Sequence, residues 1–167
     1  MLWTRARDLL ATSGDVNTTF FLSTTDPDGR PHAAGVGARW HDGDMYIVSG
    51  PATHKTRNLL RNPACALSVA LTGMDLVLRG KVSKVEDVGL LTTVVKEFRG
   101  GGWPAEVKDG RIVAPYSAPS AGPPPWDLYR FMFDVVIGVA SAEPYGATRW
   151  RFASAQRGSS EKVTVYD

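Results

Sequence analysis

The sequence predicts a mainly β protein, a closed or nearly closed barrel of six or seven mostly antiparallel strands interrupted by two or three short helices. Three observations carry that reading. Short runs rich in β-branched and aromatic residues follow one another with turn signals between them. Helices do not alternate with strands, and no Gly-x-Gly-x-x-Gly turn follows a strand, which disfavours a doubly wound nucleotide fold. So many strands in 167 residues favour closure over an open sheet.

Leu2, Ala6, Leu9 and Leu10 have helical spacing, so residues 2–11 read as a short amphipathic helix. Residues 18–24 (TTFFLST) are the first strand, and Asp26-Pro27-Asp28-Gly29 supplies strong turn chemistry. A second strand is expected over 31–40. Its small residues Ala33, Gly35 and Gly37 imply a close approach to its backbone. His41-Asp42-Gly43-Asp44 turns the chain into a third strand over 45–49. Thr53 is a good N-cap for a helix over 55–60, which must stop at Asn62 because Pro63 disfavours a helical residue before it. Strands follow over 64–71 and 76–85, joined at Gly73-Met74. A helix over 87–98 then places Val88, Leu91, Val94, Val95 and Phe98 on one side.

Residues 100–126 hold three consecutive glycines and six prolines, too long and broken for one regular element. Trp103, Tyr116 and Trp126 in that stretch suggest a lid over the substrate side of the site; a surface insertion without a role is the competing reading. Strands are expected again over 128–140 and 148–152, and Phe131 and Phe133 are core by their alternation. Residues 1–152 read as one domain and 153–167 as a C-terminal tail.

A chain of this length can bury one substantial core. Its composition, 43% apolar and 22% charged, is that of a soluble globular protein. The longest apolar run, near Cys65 to Leu71, is too short to cross a bilayer, so no membrane span is expected, and the N-terminus has no signal-peptide pattern. A single cysteine fits a reducing cytoplasm, and Cys65 itself reads as a small core residue. His32, His41 and His54 show no metal-ligand spacing, so no metal is expected. A net charge of +2 does not argue for nucleic acid. Yet no acidic residue occurs from Met45 to Met74, where His54, Lys55, Arg57 and Arg61 cluster. This is either a site for one anionic ligand or a solvated basic helix face.

The strongest constellation is residues 49–59 (SGPATHKTRNL). A helix start presents unsatisfied N–H groups and the positive end of its dipole, both suited to a phosphate. Lys55 and Arg57 would neutralise such a group, and Ser49 and Thr53 have hydroxyls to donate; a plain capped helix is the alternative.

Residues 21–32 (FLSTTDPDGRPH), with Lys55-Thr56-Arg57-Asn58-Leu59 and Asn62-Pro63 ahead of a strand, resemble the pyridoxamine 5'-phosphate oxidase-like, FMN-binding split barrels. Residues 147–152 (ATRWRF) resemble the ending of actinobacterial members, many of which use the deazaflavin coenzyme F-420. The resemblance spans about residues 18–152. It implies a split β-barrel and a cytoplasmic oxidoreductase moving a hydride between F-420 and a small apolar or conjugated acceptor. An FMN-dependent oxidoreductase and a non-catalytic flavin-binding protein are the alternatives. It implies a homodimer with the cofactor at the subunit interface, and no nucleic-acid or membrane partner. By the same resemblance, Lys55 to Asn58 form the phosphate grip, through Lys55, Arg57 and Asn58, and Thr53 and His54 at the helix start join the cofactor-binding set. Pro31, His32, Ala33 and Ala34 form the ledge under the ring, and Ile47, Val48 and Ser49 flank it. Trp126, Arg149 and Trp150 line the second wall. The Arg-x-His ending of the vitamin-processing oxidases is absent: Arg149-Trp150-Arg151 stands there, against that substrate. No catalytic side chain is required when the cofactor carries the hydride. His32 is a candidate proton donor, with a structural role as the other reading, and His41 reads as solvated.

Overall fold

The computed structural model describes residues 1–152; the expected tail lies outside the described residues. The chain runs α1 (Trp3–Thr12), β1 (Phe20–Thr25), β2 (Pro31–Val36), β3 (Ala38–His41), β4 (Asp44–Ser49), α2 (His54–Arg61), β5 (Ala64–Leu71) and β6 (Met74–Lys84). It continues through α3 (Val88–Gly100), β7 (Glu106–Lys108), β8 (Arg111–Val113), β9 (Asp127–Ala140) and β10 (Gly146–Arg151).

The main sheet has the order β2-β1-β5-β6-β9-β4-β3, with β10 added on β9 and every pairing antiparallel. Its two edge strands, β2 and β3, are consecutive in the chain and separated by Gly37 alone. One bent stretch therefore pairs with β1 on one side and β4 on the other, and the ring of strands closes through it. The Val48 N–H donates to the Gly37 carbonyl at 3.3 Å, just where the pairing changes partner. Sequence reasoning expected one strand over 31–40. The structure divides it at Gly37; counted as the one bent strand expected, it leaves the main sheet with seven strands.

Turn chemistry sets the register. Gly29 has φ 85°, and its N–H donates to the Asp26 carbonyl at 2.9 Å, which aligns Thr25 with Pro31. Asp42 and Gly43 both have positive φ (44° and 84°), as a two-residue turn with the twist of its strands demands.

Two cores result. Inside the barrel, Phe20, Leu22, Met45, Ile47, Leu67, Phe131, Phe133 and Trp150 interdigitate, and α1 closes one mouth with Trp3, Ala6 and Leu10. Outside it, α3 lays Leu91, Val94, Val95 and Phe98 over Tyr46, Val48, Trp126 and Leu128. All six residues of β4 are buried, because the barrel core covers one face and α3 with the following segment covers the other. Val88, expected on the buried side of α3, is exposed at its first turn. The 100–126 segment contains the β7–β8 hairpin, which the glycines and prolines around it concealed.

Candidate functional site

The turn from β4 into α2 is built by hydroxyls. Thr53 caps α2, its Oγ1 accepting from the Thr56 N–H at 3.3 Å. Ser49 Oγ lies 2.7 Å from Thr56 Oγ1 and 3.1 Å from Thr53 Oγ1, and the Thr56 hydroxyl donates to the Gly50 carbonyl at 2.8 Å. Ser49 is completely buried, and its hydroxyl shapes the turn.

Lys55 sits one residue into the helix and is only 2% exposed. Its ammonium donates to the Ser120 carbonyl and forms no ion pair among the described residues. Burial pushes its pKa below the usual lysine value. A desolvated cation with one neutral acceptor is a costly arrangement, and an anion is what would relieve it. Arg57 is exposed and curls back to donate to the Ala52 carbonyl at 2.7 Å. Lys55 and Arg57 lie two residues apart, about 200° around the helix, so they flank its N-terminus from different sides.

Asn58 is fully buried and joins α2 to the first hairpin. It donates to Thr24 Oγ1 at 3.1 Å and to Asp26 Oδ1 at 2.7 Å, and it accepts from Arg61 at 2.6 Å. Asp26 also meets His54 Nε2 at 2.7 Å. Hydrogen bonds from Asn58 first, and then from His54, hold the Asp26 carboxyl below the usual carboxylate range. His54 in turn stacks on His32, ring centroids 4.4 Å apart and 8° from parallel. These two residues therefore belong to one cluster, which the separate sequence motifs did not reveal.

Beside this turn opens a cavity of about 470 Å³. Gly35 and Gly37 form its backbone wall and Val48 its floor. Phe98, Trp103 and Tyr116 give it an aromatic side. Arg39 and Asp15 are the charged residues of its lining, and neither was singled out in the sequence. The Arg39 guanidinium lies 5.6 Å from the Phe98 ring centre, its Nε is buried without a partner, and burial lowers its pKa. Ser120 and Ala121 complete the rim, so the segment that touches Lys55 also borders the cavity.

Pro31, His32, Ala33 and Ala34 lie on the exposed edge strand leading into the cavity. Ile47 points into the barrel core and Trp150 is fully buried there, its Nε1 donating to the Met1 carbonyl at 3.2 Å. Trp126 is buried in the second core, 5.4 Å from Trp103 between ring centres. The structure does not bring Ile47, Trp150 or Trp126 to an open wall; strand alternation turns each of the first two inward. Arg149 is on the outer face of β10. Burial pushes the Cys65 thiol up to about 12, which makes it an inert packing group.

The N-terminal domain model of pyridoxamine 5'-phosphate oxidase matches residues 7–121, more than half of the chain. The chain belongs to that family. Members are generally flavin-dependent oxidoreductases, and some are non-catalytic. No curated protein matches this family member. Among solved structures it is similar to a NimC/NimA family protein from Clostridium acetobutylicum (19% identity, 87% of this chain and 91% of that one, TM-score 0.58). It is similar to a pyridoxamine 5'-phosphate oxidase-related, FMN-binding protein from Nostoc punctiforme (13%, 83% and 82%, TM-score 0.57). An F-420 reductase aligns at 21% identity over 75% of this chain and 90% of that one, TM-score 0.50. At these identities the likeness is one of fold, the split barrel of flavin-binding proteins. No described helix is long and apolar enough to cross a membrane.

Proposed function

We propose that this chain is a deazaflavin (coenzyme F-420)-dependent reductase acting on a small apolar or conjugated acceptor. Lys55 carries the reading: a buried ammonium with no carboxylate partner among the described residues, at a helix start beside a cavity with a glycine wall. The residues fit a flavin-type cofactor. Lys55 and the α2 N-terminus hold its phosphate, with Arg57 adding charge from the solvent side. Gly35 and Gly37 let a flat ring approach the backbone closely. When bound, the cofactor supplies the hydride chemistry. Phe98, Trp103 and Tyr116 exclude water and pack on an apolar acceptor, and Arg39 favours one that gains negative charge. Arg61, Arg79 and Lys81, all exposed, suit the carboxylates of a deazaflavin tail.

The second reading is an FMN-using oxidoreductase, favoured by the FMN-binding neighbour of the same fold. Both readings take a homodimer. Phe21, Val77 and Val139 are 52%, 36% and 50% exposed on the outer face of β1, β6 and β9, an apolar patch that a second copy would cover. Expression in a deazaflavin-producing host, followed by absorbance and mass spectrometry of the co-purifying ligand, tests the proposal. F-420 binding, with turnover of reduced F-420 on enones or quinones, is expected. FMN retained in place of F-420 replaces the first reading by the second. Binding without turnover makes the chain a carrier.

A further inference from the structure

The 118–122 turn occupies the place that an anion would take on Lys55. The Ser120 carbonyl accepts from the buried ammonium, and the Ala121 carbonyl lies directly on Gly50. A Cβ built on Gly50 would overlap that oxygen, so only glycine lets the turn descend this far. The turn is closed on itself by Gly122 N–H to Ala118 carbonyl at 2.8 Å and Ala118 N–H to Gly122 carbonyl at 3.0 Å. Trp126 fastens it from below, its Nε1 donating to the Gly122 carbonyl at 3.0 Å.

We infer that this turn is a strap that Lys55 holds in the anion site, and that an anionic cofactor must lift it to reach the ammonium. The inference rests on the cofactor reading above. A carbonyl is a neutral acceptor, whereas a phosphate makes a shorter, charge-assisted bond to the same ammonium, so the anion wins the exchange once it arrives. Binding is then coupled to opening, and the apparent affinity is the intrinsic one reduced by the fraction of molecules with the strap raised. Because Ser120 and Ala121 also rim the cavity, lifting the strap widens the acceptor side in the same movement.

Hydrogen exchange of the Trp126 indole N–H, which the Gly122 carbonyl of the strap protects, tests this in the full chain, with FMN as probe and F-420 in a parallel series. Saturating cofactor is expected to speed that exchange by about tenfold or more. Gly50→Ala, which forces the strap off, should exchange that fast without ligand and bind with a Kd lowered by a matching factor. Trp126→Phe, which removes the fastening while keeping a ring in place, should also lower the Kd, to a smaller degree. Cofactor binding that depends on Lys55 but leaves the indole N–H as protected as in the free chain overturns the strap and spares the cofactor site. Failure of the parent and both variants to bind either cofactor removes the cofactor reading and the strap with it.

Discussion

Asn58 and Asp26 are bonded across 32 residues of sequence, Nδ2 donating to Oδ1 at 2.7 Å, and this bond fixes α2 against the end of the first hairpin. Thr24 takes the second amide N–H and Arg61 donates to the amide oxygen, so both ends of this fully buried polar side chain are hydrogen-bonded.

Asn58→Leu should therefore destabilise the protein by about 1–3 kcal/mol, the penalty for stranding the partners of a buried amide. Denaturant unfolding measures it. An unchanged midpoint would mean that α2 is held by Leu59 alone.

The acid limb depends on Asp26. Its folded pKa is depressed, so the stability it contributes is present above the unfolded value of 3.8 and disappears as pH falls through the folded value. Asp26→Asn should be less stable than the parent at neutral pH, with the difference closing below pH 3.8. Thermal unfolding across an acid pH series reads this directly.

Lys55→Met separates function from stability. Loss of a charge-assisted contact of about 1.5–3 kcal/mol should weaken cofactor binding roughly ten- to a hundredfold. The free protein should be as stable as the parent or more so, because a buried unpaired charge has gone. The sign of the pH dependence follows from the lowered folded pKa. The unfolded chain holds the lysine proton more tightly, so the parent's handicap is greatest below the folded pKa and fades as pH rises toward 10.5. A parent that is the more stable of the two at neutral pH contradicts this.

Gly80 marks a register shift between β6 and β9, and a Cβ there would overlap the Met132 carbonyl. Gly80→Ala should cost about 1–3 kcal/mol or more by forcing the bulge apart. A wild-type melting temperature would show that the bulge gives way freely.

Phe21→Asp should convert a dimer to a monomer with little change in fold, since Phe21 is half exposed on the outer face. Sedimentation at micromolar concentration decides it. A parent that is already monomeric with cofactor bound removes the dimer.

Local chemistry determined a great deal by itself. Positive φ at Gly29 and Gly43, the Thr53 cap and the stop at Asn62 before Pro63 are consequences of neighbouring residues, and each stands where the sequence puts it. The 3.6-residue apolar period of α3 and the alternation of Phe131 and Phe133 likewise assign core faces without knowledge of the partner. The capped start of α2 with Lys55 in its first turn was legible for the same reason, since the cap and the lysine fall within a few residues. Relations between distant segments were decided only by the tertiary structure. Closure through Gly37 depends on one stretch meeting β1 and β4 at once. Arg39 becomes a cavity wall because α3 packs Phe98 beside it. Ser49 and Trp150 looked like ligand groups and are buried, because strand direction and barrel curvature, not residue type, settle which way a side chain points. Lys55 meets Ser120 across 65 residues of intervening chain, a contact no local pattern encodes, because it depends on how the long segment after α3 settles over the barrel.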